Sequence, residues 1–295
     1  MARPSRIAAP ARTAEQTGRH SVRSRTTSRK HRAGETSLFF RVLDTPALSP
    51  DAADAPAIVL VHGIGMSHRY LWSLHRTLAA ESRVLSIDLP GFAGLPKPGE
   101  DVDVVQMSTA LGELLDSLIE SPVVLVGHSM GAQWAIETAV QRPDLVSAVV
   151  AIGPVADDKH RTPFAQARAL TLDSLGESPV TNFIVFTDYI RCGLPWYLTQ
   201  VRHMVGYPTE DQAGQLAVPL LVMRGAFDPI AGREWCRRLR DLASTGSFVE
   251  IPRGHHVVQR TAPRAVADAI QTHIRSWGIG SSPRTRPAEP GAAAR

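Results

Sequence analysis

Short apolar runs alternate with longer segments of helical periodicity along most of the chain. Runs rich in Val, Ile and Leu predict buried strands, the first of them weakly, at 39–43, 58–61, 84–87, 123–126, 146–152, 220–223 and 248–251. Apolar residues at spacings of three and four predict helices at about 69–80, 104–120, 131–142, 232–243 and 263–276. Strands that alternate with helices indicate an α/β fold with a mainly parallel, doubly wound sheet.

A serine stands between one of these strands and the helix that follows it. Residues 127–131 read Gly-His-Ser-Met-Gly, directly after the strand at 123–126. In this context Gly-x-Ser-x-Gly predicts a sharp turn that lifts the hydroxyl of Ser129 clear of the backbone as a nucleophile. Glycine is expected at positions 127 and 131 because the strand and the helix approach each other closely there. His128 lies between Gly127 and the serine. The alternative is a Gly/Ser turn between two core elements.

A serine nucleophile needs a base, and the base needs an orienting acid. Asp228 follows the strand at 220–223, and His255 and His256 follow the strand at 248–251. Serine, acid and histidine therefore occur in a different order from that of trypsin or subtilisin. Taken alone, Asp228 is equally well explained as a turn or helix-cap residue, but its place relative to Ser129 and the histidines favours a catalytic role.

The loop after the strand at 58–61 is expected to complete the site. It reads His-Gly-Ile-Gly from His62 to Gly65. Carboxyl ends of parallel strands meet at one edge of a sheet, so this loop should lie beside Ser129. The backbone N–H groups of Ile64 and Met130 are the candidate oxyanion donors. Gly63 and Gly65 supply backbone freedom, and His62 is expected to be a structural hydrogen-bonding residue.

These motifs resemble those of the α/β-hydrolase superfamily, particularly small bacterial capped serine hydrolases and esterases, over about residues 36–278. The resemblance is carried by five segments, at 62–65, 88–92 (Asp-Leu-Pro-Gly-Phe), 127–131, 225–228 (Gly-Ala-Phe-Asp) and 251–256 (Ile-Pro-Arg-Gly-His-His). It implies a core of residues 36–154 and 215–278 and a helical cap of residues 155–214. Ser129 at the sharp turn argues against membership of the epoxide hydrolases and haloalkane dehalogenases of this superfamily, whose nucleophile is a carboxylate. The family's opening β-hairpin is poorly represented in the sequence.

Two choices within the triad follow from the resemblance. The family's base sits in a Gly-His pair with a proline seven residues later, and Pro263 is seven residues after His256. This spacing favours His256, although Gly254 and His255 mimic the pair one position earlier and keep His255 as the alternative. Some members take the acid from the loop after the preceding strand, which makes residues 157–158, Asp-Asp, the alternative to Asp228.

The interval between residues 154 and 217 contains no clear strand and matches the place of the cap. It mixes polar residues with Phe164, Phe183, Phe186, Tyr189, Trp196, Tyr197, Met204 and Tyr207. Most of these side chains are expected to pack the cap onto the core. Phe186, Trp196 and Tyr197 are the candidates for walls of an apolar acyl pocket.

Charge and composition add little to the catalytic prediction. Residues 1–33 hold nine Arg or Lys against Glu15, so this segment carries +8 of a chain whose net charge is +4. Residues 1–35 are predicted to be a disordered basic tail, with a weak nucleic-acid or acidic-lipid contact or a transit peptide as alternatives. Residues 279–295 are predicted to be a second tail. Cys192 and Cys236 form no metal-ligand spacing.

The sequence therefore predicts a serine hydrolase of carboxylic esters that works through an acyl-enzyme, without metal or cofactor. Its expected partner is a small ester-like substrate; no specific nucleic acid and no membrane span are expected, and the oligomeric state is left open. The expected compartment is the cytoplasm. Alternatives on the same fold are a carbon–carbon bond hydrolase, a lactonase, or a cofactor-free haloperoxidase or perhydrolase. The alternative of another class is a non-catalytic binding protein.

Overall fold

One sheet organises the part of the chain that the computed structural model describes, which is residues 25–33, 38–49, 52, 55–157 and 178–280. Its strands are β1 (Thr27–Arg32), β2 (Phe39–Thr45), β3 (Ile58–Val61), β4 (Val84–Asp88), β5 (Val123–His128), β6 (Val146–Ile152), β7 (Leu220–Gly225) and β8 (Gly246–Ile251). They pair in the order β1-β2-β4-β3-β5-β6-β7-β8.

Most of the strands are parallel. β2 is antiparallel to both β1 and β4, and the other pairs are parallel. Parallel strands are covered on both faces and need apolar residues at consecutive positions. In β3, Ile58 and Leu60 enter one core while Val59 and Val61 enter the other. The predicted α/β class with a mainly parallel sheet is confirmed, and the loops after β3, β5, β7 and β8 emerge at one edge.

Helices cover both faces of the sheet. They are α1 (His68–Leu78), α2 (Val104–Leu118), α3 (Met130–Gln141), α4 (Pro179–Cys192), α5 (Leu194–Gly206), α6 (Thr209–Gly214), α7 (Arg233–Leu242), α8 (Val258–Thr261) and α9 (Pro263–Ser276). Tyr70 of α1 and Ile270 of α9 belong to one core cluster. Leu111 of α2, Trp134 of α3 and Trp235 of α7 belong to the other. The sheet is therefore doubly wound.

Helices α4 to α6 lie between β6 and β7 in the chain, and we call them the helical insertion. Polar contacts bind it to the body at both ends. Ser67, the N-cap residue of α1, donates to the buried carboxylate of Asp188 in α4. The side-chain amide of Gln133 in α3 donates to the carbonyl of Met204 and to the hydroxyl of Thr209, both at 3.0 Å. The insertion is thus anchored beside the helix that follows Ser129.

The predicted disordered tail at residues 1–35 is wrong for residues 27–32, which form β1. This strand reads Thr-Ser-Arg-Lys-His-Arg, and five of its six side chains are exposed. It lies at the edge of the sheet, where backbone hydrogen bonds to β2 hold it rather than side-chain burial. A search for alternating apolar residues cannot detect such a strand. The opening hairpin that the sequence represents poorly is therefore present.

Three other predicted segments fall partly or wholly outside the described residues. These are 1–24 of the first tail, 158–177 at the start of the predicted cap, and 281–295 of the second tail. Residue 279, which the prediction assigns to the second tail, instead packs against the core beside α9. Within the described ranges no helix has both the length and the apolar character needed to cross a bilayer.

Candidate active site

Ser129 occupies a strained turn between β5 and α3. Its φ is 58° and its ψ is −124°, a left-handed conformation that non-glycine residues rarely adopt. A Cβ added at Gly127 would lie 2.1 Å from the carbonyl oxygen of Gly131. A Cβ added at Gly131 would lie 2.6 Å from the carbonyl oxygens of Val61 and His62. Both positions require glycine because backbone segments meet there, which is the reason that the sequence motif suggested.

Asp228 and His256 form a buried pair at the same edge of the sheet. His256 Nδ1 lies 2.9 Å from Asp228 Oδ2. The other carboxylate oxygen, Oδ1, accepts from the backbone N–H groups of Ile230 at 2.8 Å and Ala231 at 3.0 Å. These three donors fix the carboxylate in the turn after β7, with one oxygen directed at the imidazole.

The charge of Asp228 fixes the tautomer of the histidine. Burial raises the pKa of Asp228, but His256 and the two backbone N–H groups outweigh burial and hold this pKa below its ordinary value. The carboxylate is therefore ionised near neutral pH and accepts the Nδ1 proton. Nε2 of His256 is then the basic nitrogen of the ring.

The structure separates the two adjacent histidines. His256 is buried and lines the same cavity as Ser129, and a Cβ added at Gly153 would lie 3.0 Å from its ring. The ring of His255 lies 5.8 Å from that of Phe227, whose side chain is exposed. Of the two histidines, His256 is therefore the one that contacts Asp228 and lines the cavity with Ser129.

The alternative acid has another partner. The Asp157 carboxylate lies 3.0 Å from the guanidinium of Arg238 in α7. Residue 158 is outside the described residues. The carboxylate that the structure places against His256 Nδ1 is that of Asp228.

The loop after β3 lies directly against the serine. A Cβ added at Gly63 would lie 2.9 Å from Ser129 Cβ. The next residue, Ile64, lines the cavity together with Ser129. Met130 begins α3, and the first N–H groups of a helix have no acceptor inside the helix and form its positive end. Ile64 thus lines the cavity with Ser129, and Met130 follows Ser129 at the start of α3.

His62 fixes this loop from behind. Its Nε2 accepts from the backbone N–H of Leu89 at 3.1 Å, and its Nδ1 donates to the carbonyl of Gly63 at 2.8 Å. Burial lowers the pKa of His62, so the ring is neutral and has one proton, which these bonds place on Nδ1. Gly65 has a φ of 74°, and a Cβ there would lie 2.3 Å from the ring of Tyr189.

A cavity of about 240 Å³ opens beside Ser129. Its described walls come from the body and the helical insertion, and they are Gly63, Ile64, Met66, Tyr70, His128, Ser129, Val155, Val185, Tyr189, Tyr197, Leu198, Val201, Met204, Ile230, His256 and Val257. Among these residues there is no Lys, Arg, Asp or Glu. The cavity therefore suits an uncharged, apolar group next to Ser129.

Only one of the three candidate wall residues lines this cavity. Tyr197 does, whereas Trp196 packs against Phe92 with ring centroids 6.0 Å apart. Phe186 is 63% exposed. Val185 and most of the other walls were not predicted from the sequence. The spacing of Val185 and Tyr189, four residues apart, indicates that they share one face of α4. The sequence does not show which face of that helix turns towards the cavity.

Comparisons with known proteins identify the family of this chain and proteins that share its fold. A model of the alpha/beta hydrolase family matches residues 58–269. An (E)-2-((N-methylformamido)methylene)succinate hydrolase of Acinetobacter baylyi is 25% identical over 77% of this chain and 93% of its own. An sn-1-specific diacylglycerol lipase of Mus musculus is 28% identical over 75% of this chain and 82% of its own. The fold is similar to that of a thermophilic esterase from Thermogutta terrifontis, with a TM-score of 0.71, 20% identity and coverage of 85% and 99%.

Proposed function

This chain belongs to the alpha/beta hydrolase family, and from that premise we propose that it hydrolyses uncharged carboxylic esters through an acyl-enzyme on Ser129. One observation carries the proposal. His256, which is paired with the buried Asp228, lines the same cavity as the strained Ser129, and the described walls of this cavity hold no Lys, Arg, Asp or Glu.

In the acylation step His256 acts first as a base and then as an acid. Nε2 of His256 takes the proton of Ser129 Oγ as the oxygen attacks the ester carbonyl. The backbone N–H groups of Ile64 and Met130 hold the negative oxygen of the tetrahedral intermediate, and each such donor is worth roughly 10²–10³ in turnover. His256 then gives its proton to the leaving alcohol. Asp228 stabilises the imidazolium that exists between these two transfers.

Deacylation repeats the same steps with water. His256 takes a proton from water, whose oxygen attacks the acyl-serine carbonyl. The tetrahedral intermediate collapses, the Ser129 oxygen regains its proton from His256, and the carboxylic acid leaves. We propose that residues 155–214 act as a cap on a core of residues 36–154 and 215–278. By excluding bulk water, such a cap strengthens the hydrogen bonds to the oxyanion.

The cavity supports an uncharged substrate over an ionic one. The Acinetobacter relative is named for a succinate derivative, which carries two carboxylates. Two buried carboxylates would need cationic partners, and the described walls offer none. The mouse relative is named for diacylglycerol, an uncharged ester. We therefore propose an uncharged ester with an apolar acyl chain.

A panel of p-nitrophenyl esters tests this proposal. Ser129→Ala and His256→Ala should each lower kcat/KM at least about 10³-fold. His255→Ala is the matched control and should stay within about threefold of the parent enzyme, because its ring lies against Phe227. The kcat/KM for esters of butyrate to octanoate should be higher than that for a succinyl half-ester.

Three results would count against it. Equal rates for the parent protein and Ser129→Ala would end the esterase proposal. Preference for the succinyl half-ester would overturn the uncharged substrate. Cleavage of a lactone, a carbon–carbon bond of a vinylogous diketone, or peracid formation at rates well above ester hydrolysis would favour the other chemistries of this fold.

A further inference from the structure

A line of buried hydrogen bonds passes beside Ser129 and joins three loops of the site. The backbone N–H of Gly63 donates to Tyr70 Oη at 2.8 Å. Tyr70 Oη lies 2.7 Å from His128 Nδ1, and His128 Nε2 lies 3.0 Å from the carbonyl oxygen of His256. The exposed fractions of Tyr70 and His128 are 1% and 3%. Neither side chain takes part in the steps described above.

The chemistry of the partners gives this line a single direction. Burial lowers the pKa of His128 to about 3, so its ring is neutral and carries one N–H. A carbonyl can only accept, so the proton is on Nε2 and points to His256. Nδ1 must then accept the proton of the Tyr70 hydroxyl, while Tyr70 Oη accepts from Gly63. Every donor and acceptor in the line is paired.

Both ends of the line are backbone groups at the reacting centre. Gly63 directly precedes Ile64, a proposed oxyanion donor. The carbonyl at the other end belongs to His256, the proposed base. The middle residue, His128, directly precedes Ser129, and its ring centroid lies 4.7 Å from that of His256. One network thus ties together three loops that are far apart along the chain.

We propose that Tyr70 and His128 are positioning residues, which hold the oxyanion donor of Ile64 and the imidazole of His256 at fixed places around Ser129. This inference rests on the proposed esterase function. Misplacement of groups that act in the transition state lowers turnover more than substrate binding. Loss of the network should therefore appear in kcat rather than in KM.

The substitution Tyr70→Phe removes one oxygen from the middle of the line. It should lower kcat for p-nitrophenyl butyrate about 10- to 100-fold and leave KM within about threefold. The matched control is Tyr207→Phe, which removes the hydroxyl of another buried tyrosine, one that donates to Glu137 and is not among the described cavity walls. Its kcat should stay within about twofold of the parent value.

Two variants of His128 separate positioning from packing. His128→Gln keeps one donor and one acceptor on the side chain, whereas His128→Phe keeps a ring and neither group. The Gln variant should retain more of kcat than the Phe variant. The double variant Tyr70→Phe/His128→Phe should lose clearly less than the product of the two single losses, because either change alone breaks the same line.

A spectrum of the ring nitrogens tests the network without reference to activity. In the parent protein, nitrogen-15 NMR should show His128 neutral and protonated at Nε2, and a proton on Nδ1 would overturn the proposal. If the parent hydrolyses esters but Tyr70→Phe keeps its full kcat, the positioning role is wrong and the esterase function stands. If the parent neither hydrolyses esters nor reacts with a fluorophosphonate, the proposed function fails and the positioning role fails with it.

Discussion

Acid should destabilise the folded protein through histidines that are buried without charge, among them His75 and His128. The ring of His75 lies between two hydroxyl oxygens, with Thr45 Oγ1 at 2.7 Å from Nε2 and Ser86 Oγ at 2.7 Å from Nδ1. Burial lowers the pKa of His75 to about 3, and it lowers the pKa of His128 to about 3 as well. In the unfolded chain both groups return to the ordinary histidine value of about 6.5.

The sign and size of the effect follow from this difference. Below about pH 6.5 the unfolded chain binds a proton at each position, whereas the folded protein binds none until the pH approaches about 3. The free energy of unfolding therefore falls with falling pH, by up to about 1.4 kcal/mol per pH unit for each histidine. Between pH 7.5 and 5.5 this amounts to about 1.4 kcal/mol for each of His75 and His128, or about 2.8 kcal/mol for the two. Carboxylates contribute little there, because their unfolded pKa values are near 4.

Urea unfolding at pH 7.5 and pH 5.5, followed by tryptophan fluorescence, measures this loss. The variant His75→Gln keeps a donor and an acceptor between the two hydroxyls but cannot titrate. Whatever its stability at pH 7.5, its free energy of unfolding should fall by about 1.4 kcal/mol less than that of the parent protein on going to pH 5.5. Equal losses in the two proteins would refute the assignment of His75 as a buried neutral group.

Three further predictions concern the site. Gly127→Ala should abolish activity and lower Tm, because the new Cβ would lie 2.1 Å from the Gly131 carbonyl oxygen. Gly99→Ala is the control and should change neither quantity, because a Cβ at that position has nothing within 4 Å. Ester hydrolysis measures the activity and calorimetry measures Tm. Asp228→Asn should lower kcat about 10⁴-fold with little change in KM, since the amide no longer favours the Nδ1 proton; steady-state kinetics measures this, and a loss below tenfold would contradict the role of the carboxylate. Leu198→Trp should shift preference towards shorter acyl chains by filling the cavity, and an unchanged chain-length profile would exclude Leu198 from the acyl pocket.

The sequence predicted the parts of the fold whose side chains are buried. Strands such as β5 and helices such as α3 have continuous or periodic apolar residues, and these patterns report burial directly. β1 escaped detection because backbone pairing at a sheet edge leaves its Thr, Ser, Arg and Lys side chains in solvent. No local pattern marks an element that contributes hydrogen bonds without burying apolar surface.

The site was predictable where backbone sterics constrain residue type. Gly127 and Gly131 are required by contacts that the structure shows at 2.1 and 2.6 Å, so the motif around Ser129 carries its own signal. No sequence signal marks Tyr70 as part of the site, because a tyrosine on the inner face of an amphipathic helix looks like an ordinary core residue. Its hydroxyl meets Gly63 and His128 only through tertiary packing, and contacts across 58 residues of chain leave no trace in local spacing.

Mass spectrometry of the acyl-enzyme tests the central claim most directly. The protein is mixed with p-nitrophenyl butyrate, quenched in acid within the first turnover and digested. The peptide that contains Ser129 should gain the mass of one butyryl group, in an amount equal to the burst of nitrophenol. The adduct should be retained in His255→Ala and lost in His256→Ala. A butyryl group on another residue, or hydrolysis with no covalent adduct and no burst, would contradict Ser129 as the nucleophile.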